Sequence, residues 1–96
     1  MKREEVIQKL QALMPELRQL GVQGLSVFGS VARDEATETS DLDLIAEFVQ
    51  PITFRRYFDV LFLIEDSLGV HVDLAEPQAL HPMIRQRVLD EALKVA

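Results

Sequence analysis

Apolar residues recur along the chain at two different spacings, and each spacing predicts one type of element. Near the N-terminus they return every three or four residues, at Val6, Leu10, Leu13, Leu17 and Leu20, which is typical of an amphipathic helix. Elsewhere, short apolar runs end at glycine, proline or polar residues, which is typical of strands and turns. The pattern predicts helices over residues 2–20, 30–35, 53–68 and 82–94, and strands over 25–28, 41–48 and 70–74.

Glycine, proline and threonine residues refine these boundaries. Gly21 and Gly69 follow the last apolar positions of two helices and are predicted to end them. Thr53 or a neighbour is predicted as the N-cap of the third helix. Pro15 lies inside the first helical pattern, where a missing amide donor and steric clash predict a kink or a break. The last helix is predicted to bury a stripe made of Ile84, Val88 and Leu89.

The predicted element order is α-β-α-β-α-β-α, which indicates an α/β (α+β) fold with a three-stranded mixed sheet and about four helices. A short connection joins the first two strands, so they are expected to be antiparallel. A full helix joins the second and third strands, so these are expected to be parallel with a right-handed crossover. A length of 96 residues fits a single domain spanning 1–96.

Composition narrows the possible functions. The formal net charge is −6 and the pI is about 4.8, which argues against direct nucleic-acid binding because that requires a basic surface. The absence of cysteine excludes disulfides, thiolate nucleophiles and cysteine-based zinc sites. No apolar stretch reaches membrane-spanning length and the first residues lack a signal-peptide core. We therefore expect a cytoplasmic protein without a membrane partner.

Two carboxylates interrupt the second predicted strand. Asp41 and Asp43 are two residues apart and should share one face of the strand, while Leu42 and Leu44 face the other way. A solvated sheet face is one explanation for such a pair. Asp73 on the third strand favours another, because a parallel neighbour would place it beside the pair. Three carboxylates on one face suit magnesium, which also takes phosphate ligands, and two such ions can assist an in-line displacement.

A Gly-Ser pair ends the first predicted strand, at the same end of the sheet as Asp41. Gly29 permits close backbone approach, and Ser30 can serve either as an N-cap or as a phosphate ligand. Arg33 is expected in the first turn of a helix, where a cation opposes the helix dipole and a bound triphosphate would relieve the conflict. Pairing of Arg33 with Glu35 or with Asp41 is the structural alternative.

These residues resemble the signature of the nucleotidyltransferase superfamily that includes DNA polymerase beta. That signature consists of Gly-Ser at a strand–helix turn, Asp-x-Asp about ten residues later and a third acidic residue on a later strand. It is matched by Gly29, Ser30, Asp41, Asp43 and Asp73. The segment FGSVARDEA and the ending MIRQRVLDEALKVA look most like the minimal nucleotidyltransferases (MNT), which are small antitoxins paired with HEPN-domain RNase toxins.

The resemblance implies a nucleotidyltransferase fold and magnesium-dependent transfer of AMP from ATP to a tyrosine of a HEPN-domain toxin. In that scheme Asp41 and Asp43 hold two magnesium ions, and Asp73 joins them as metal ligand and general base. Gly29 and Ser30, with Arg33 nearby, bind the phosphates. Two alternatives stay open: an antitoxin that acts by contact alone, and an adenylyltransferase for a small molecule such as an aminoglycoside.

Three further features leave alternatives open. Asp34 stands where the family usually has glycine, which predicts a shifted turn and added negative charge near the phosphates. The third helix is apolar nearly all round, so either the terminal helices cover it or it binds a partner. His71 is expected on the same face as Asp73, as a surface or hydrogen-bonded residue, or as one that tunes the site or binds metal.

Overall fold

The computed structural model describes residues 1–96 and begins with a long helix, α1 (Arg3–Gln19). Its apolar positions Val6, Leu10 and Leu17 are buried, as their spacing predicts. The helix continues through Pro15, so the predicted break is wrong. Pro15 and the residue one turn earlier, Gln11, are both exposed. The Gln11 carbonyl group, which loses its helical partner, therefore lies on the solvent side, where water can replace the missing amide.

The sheet has four strands in the order β3-β2-β1-β4, so the predicted three-stranded sheet is wrong by one strand. As predicted, β1 (Val22–Phe28) is antiparallel to β2 (Leu42–Phe48), and β2 is parallel to β3 (Val72–Ala75). The additional strand, β4 (Leu93–Lys94), pairs antiparallel with the free edge of β1. The edge groups of β1 thereby gain hydrogen-bond partners, which include Val95 N–H donating to Leu25 C=O at 2.8 Å.

The remaining helices connect these strands. A single turn, α2 (Gly29–Ala32), follows β1, and α3 (Phe54–Leu68) crosses from β2 to β3. Thr53 caps α3 by accepting a hydrogen bond from the Arg56 amide at 3.1 Å, and Gly69 ends it with φ of +67°, as predicted. A 3₁₀ turn (Pro77–Ala79) leads to α4 (Pro82–Glu91), which ends earlier than predicted because the chain turns into β4.

The core lies between one face of the sheet and the helices α1 and α3. Alternate residues of β2 point into it: Leu42, Leu44, Ala46 and Phe48 are buried. They pack with the buried residues of α1 and with Val60 and Ile64 of α3. The opposite face of β2 therefore carries the alternating set that begins with Asp43. This face is only partly covered, by α4, which packs against β1 and α2.

The predicted burial of an apolar stripe on α4 is wrong, while for α3 the structure favours the second of the two alternatives, a surface left for a partner. No residue of α4 is fully buried, and Ile84 and Leu89 of its predicted apolar stripe are exposed. The terminal helices also leave one side of α3 uncovered, where Phe54, Phe58 and Phe62 are exposed at four-residue spacing. We call these three residues the aromatic stripe. None of the helices combines the length and the apolar character that a bilayer span requires.

Candidate active site

Two carboxylates of the predicted triad lie side by side on the open face of the sheet. Asp43 of β2 is directly paired with Asp73 of β3 in the parallel register. Neighbouring strands are about 4.8 Å apart, so the two side chains leave the sheet next to each other. Burial, and then the nearby carboxylates of Asp73 and Asp41, raise the pKa of Asp43, while the Arg33 guanidinium lowers it. The site therefore holds more negative charge than the protein itself neutralises.

The third carboxylate, Asp41, belongs to the loop just before β2 and not to the strand. It is exposed, and its Oδ1 lies 3.4 Å from Nδ1 of His71, which is also exposed. Asp41 is still near enough to Asp43 to raise that residue's pKa. The structure thus brings all three predicted carboxylates to one end of the β2–β3 pair, with Asp43 the least exposed to solvent.

Gly29 lies against this cluster at the point where β1 turns into α2. Its φ is +71°, a conformation that favours glycine. A β-carbon at this position would collide with Oδ2 of Asp43. Phe28, the preceding residue, pairs with Asp43 across the antiparallel strands. The Gly-Ser turn and the carboxylates therefore form one continuous surface, as their positions at the same end of the sheet predict.

The structure changes the interpretation of Ser30 and Arg33. The N-cap of α2 is Phe28 and no side chain caps this turn, so Ser30 is not an N-cap. Because α2 has only four residues, Arg33 lies at its C-cap, where a cation is favourable. The predicted conflict between Arg33 and the helix dipole is therefore wrong. Arg33 Nε lies 3.3 Å from Glu35 Oε2, so Arg33 forms the pair with Glu35 that was the structural alternative. The Arg33 charge also lowers the pKa of Asp43.

Asp34 occupies a position that normally requires glycine. Its φ is +58°, in the left-handed region that aspartate tolerates better than most residues. Its Oδ1 accepts a hydrogen bond from the backbone N–H of Arg3 at 3.4 Å. Lys2, the N-cap of α1, provides no side-chain bond, so Asp34 supplies an anionic group at that helix start. The carboxylate of Asp34 is thus directed at α1.

The carboxylate cluster fits a hard divalent cation. It combines oxygen donors, unbalanced negative charge on a partly buried Asp43, and a glycine that leaves room beside it. The side chains do not form a closed group of three His, Cys, Asp or Glu ligands. Magnesium usually keeps several waters and takes further ligands from substrate phosphates, so such a closed group is not required.

Two α3 residues that contact β3 have no counterpart in the predicted site. The Tyr57 hydroxyl donates a hydrogen bond to the Leu74 carbonyl oxygen, and the Glu65 carboxylate accepts one from the Val72 amide at 2.9 Å. Burial and the carboxylates of Asp73 and Glu76 raise the pKa of Tyr57. The polar hydroxyl of an aromatic residue within the apolar pattern of α3 is the one available sequence signal for Tyr57. Both bonds go to backbone groups of β3, so the residue types at positions 72 and 74 give no sequence signal for them.

A groove of about 550 Å³ runs beside the start of α3 and is lined mainly by apolar groups. Ile52, Phe54, Tyr57 and Phe58 form its walls, and Glu76 lies at its rim. The groove merges with the aromatic stripe, in which Phe58 and Phe62 stack with ring centroids 5.8 Å apart. An exposed apolar surface of this kind is typical of a binding surface.

Comparison with known proteins decides the family. A model of the nucleotidyltransferase domain matches residues 7–95. The chain belongs to the nucleotidyltransferase family. The resemblance seen in the sequence is thereby confirmed. Among relatives of this nucleotidyltransferase, the protein adenylyltransferase MntA of Thermococcus cleftensis is 36% identical over 93 residues, which covers 96% of this chain and 94% of the relative.

Solved structures support the same fold. A structure described as that of a candidate minimal nucleotidyltransferase superposes with a TM-score of 0.85 at 36% identity, covering 97% of this nucleotidyltransferase and 95% of the other chain. A complex of an AMPylated HEPN toxin with an MNT antitoxin from Shewanella oneidensis gives a TM-score of 0.66 at 16% identity, covering 94% of this chain and 71% of that chain. At that identity the likeness concerns the fold alone.

Proposed function

We propose that this nucleotidyltransferase is a protein adenylyltransferase that transfers AMP from ATP to a tyrosine hydroxyl of a HEPN-domain partner, and that it thereby acts as an antitoxin. The observation that carries the proposal is the contact of Gly29 with Asp43 and the pairing of Asp43 with Asp73. It joins a phosphate-binding turn to a carboxylate cluster at one end of the sheet. The naming of the Thermococcus relative as a protein adenylyltransferase supports the choice of a protein acceptor.

The residues have separate roles in this scheme. Asp41, Asp43 and Asp73 would hold magnesium, which would neutralise the phosphates and stabilise the entering and leaving oxygens. Gly29 and Ser30 would bind the phosphates through backbone donors and the Ser30 hydroxyl. Arg33 would add positive charge beside the phosphates. It lies close enough to act on Asp43, although it also pairs with Glu35.

The chemical step is an in-line displacement at the α-phosphorus of ATP. The hydroxyl oxygen of the acceptor forms the new P–O bond, and the bond to the β-phosphate oxygen breaks, so that pyrophosphate leaves. Asp73 accepts the proton of the attacking hydroxyl. It is well placed for this role because it is exposed on the open face, while Asp43 is partly buried between β1 and β3.

The aromatic stripe is proposed as the surface that the HEPN-domain partner covers. It is apolar and exposed, and the groove beside it reaches Tyr57, whose hydroxyl donates a hydrogen bond to the Leu74 carbonyl of β3. A partner bound there would cover α3 beside β3, the edge strand that carries Asp73 on its open face. The same stripe favours a second candidate function, in which the antitoxin acts by contact alone and the carboxylates are not used.

A labelling experiment distinguishes the two candidates. The protein is incubated with magnesium, ATP labelled at the α-phosphate, and a purified HEPN-domain protein. We expect label on that protein, lost in the D41N/D43N variant and retained in D59N, which changes an exposed aspartate of α3. Absence of label, together with full neutralisation by D41N/D43N, contradicts the enzymatic proposal and supports contact alone. Label on an aminoglycoside supports a small-molecule acceptor.

A further inference from the structure

The strand that carries Asp73 lies at the edge of the sheet. β3 has only one strand neighbour, β2, and consists of four residues. In a parallel pair, alternate residues direct their backbone groups toward the partner strand. The His71 carbonyl accepts a hydrogen bond from the Leu42 amide at 2.9 Å, so His71 faces β2 and the backbone groups of Val72 and Leu74 face away from the sheet.

Two α3 side chains bind these outward-facing groups. Glu65 accepts from the Val72 amide at 2.9 Å, and Tyr57 donates to the Leu74 carbonyl. The two bonds flank Asp73 on either side along the chain. Both donor–acceptor pairs are partly buried, which makes them stronger than bonds in open water. A short edge strand held by one neighbour alone would be free to shift.

We infer that Tyr57 and Glu65 are positioning residues that fix β3 so that Asp73 stays opposite Asp43, an inference that rests on the proposed function. We call this pair the β3 clamp. A carboxylate that must share a cation with Asp43 and accept a proton has little tolerance for displacement. The clamp holds β3 along its free edge, while the Asp73 side chain is exposed on the open face of the sheet.

The alternative is that the two bonds only protect a sheet edge from other strands. Edge protection predicts lower stability or greater aggregation on mutation, with unchanged chemistry in the folded fraction. Positioning predicts a change in the chemical step and in cation affinity even where the protein is fully folded. Thr53→Ala separates the two, because it removes the α3 N-cap and weakens the same helix without touching β3.

The variants Y57F, E65A, E65Q and T53A allow the test. At a temperature at which all are folded, we measure kcat and KM for AMP transfer, and Mn²⁺ affinity by electron paramagnetic resonance in the presence of a non-hydrolysable ATP analogue. Y57F and E65A should each lower kcat about tenfold and weaken Mn²⁺ binding about tenfold, with KM for ATP unchanged. E65Q should remain near wild type because an amide oxygen also accepts, and T53A should remain near wild type in both readouts.

Several outcomes contradict the clamp. If Y57F and E65A keep wild-type kcat and Mn²⁺ affinity, or lose no more than T53A does, the two bonds only protect the sheet edge. If the wild-type protein transfers no AMP but binds Mn²⁺ with the nucleotide, the proposed function fails and the clamp is judged on Mn²⁺ affinity alone. If it binds no Mn²⁺ either, both proposals fail. Faster amide exchange of Val72 in E65A, measured in parallel, verifies that the bond was lost.

Discussion

Gly29 lies so close to the carboxylate of Asp43 that a side chain at position 29 would occupy the same space as Asp43 Oδ2. The contact joins the Gly-Ser turn of β1 to the central carboxylate of β2. Gly29 also has a positive φ, so glycine is required there for two independent reasons: its backbone conformation and the lack of space for a side chain.

Gly29→Ala should therefore damage both stability and activity. The positive φ and the collision together should lower the free energy of unfolding by at least about 2 kcal/mol. Displacement of Asp43 should lower the rate of AMP transfer about a hundredfold. Urea denaturation and labelling with α-labelled ATP measure the two effects.

Gly69→Ala is the matched control for this substitution. Gly69 has a similar φ of +67°, but no atom lies within 4 Å of the position a β-carbon would take. It should lose about 1 kcal/mol from backbone strain and keep full activity. Equal effects of the two substitutions would show that the contact with Asp43 is unimportant.

Asp43 should destabilise the protein when no cation is bound. Its pKa is raised above 3.8 in the folded state, so the folded protein binds a proton more tightly than the unfolded chain. Stability contributed by this group is therefore lost as pH rises above 3.8, and the penalty remains at neutral pH. Asp43→Asn should raise the free energy of unfolding at pH 7 by about 0.5 kcal/mol, since the group is partly exposed.

Urea denaturation with and without magnesium tests this expectation. Magnesium should stabilise the wild-type protein and have little effect on Asp43→Asn, because the central ligand is lost. The gain from Asp43→Asn should disappear below pH 3.8, where both states are protonated. Asp59→Asn, on an exposed face of α3, controls for general charge effects. Equal stabilisation of all three proteins by magnesium would contradict a site at Asp43.

Much of this site was predictable because local patterns specify it. Leu42 and Leu44 alternate with Asp43, which determines the face that carries the carboxylate. The helix between β2 and β3 then requires a parallel pair, and that places Asp73 beside Asp43. Each step uses residues that are near one another in sequence, so a single chain is enough to predict it.

Other features depend on contacts that no local pattern encodes. Leu93 and Lys94 continue a helical pattern, yet they form a strand because β1 has a free edge. Arg33 is placed in a first helical turn by spacing alone, but α2 ends one residue earlier. Tyr57 binds a backbone carbonyl, and any residue at position 74 would offer the same group. In each case tertiary contacts override the local preference.

We expect Asp34 to stabilise the fold and not to weaken phosphate binding. Asp34→Ala should lower the free energy of unfolding by about 1 kcal/mol, because alanine tolerates φ of +58° poorly and loses the bond to Arg3. Asp34→Gly should change it by less than about 0.5 kcal/mol, since the strain relieved offsets the bond lost.

Isothermal titration with a non-hydrolysable ATP analogue measures the effect of Asp34 on the nucleotide. Affinity should stay within about twofold of wild type in Asp34→Gly, because the carboxylate is directed at α1 and screening weakens its distant effect. A tenfold gain in affinity for Asp34→Gly would instead show that the extra charge weakens phosphate binding.

The aromatic stripe supplies the test of partner binding. Phe62 is 53% exposed and stacks on Phe58, so its replacement should hardly affect the core. Phe62→Ser should weaken the complex with the HEPN-domain partner at least about tenfold, because a few aromatic residues often contribute most of the binding energy of an interface. The measurement is the dissociation constant by titration calorimetry. Met83→Ser, at a residue of α4 that is 87% exposed, is the control and should bind as wild type. If both variants bind the partner with equal affinity, the partner binds elsewhere on the protein. If Phe62→Ser still labels the partner at a saturating partner concentration, Phe62 contributes to binding and not to AMP transfer.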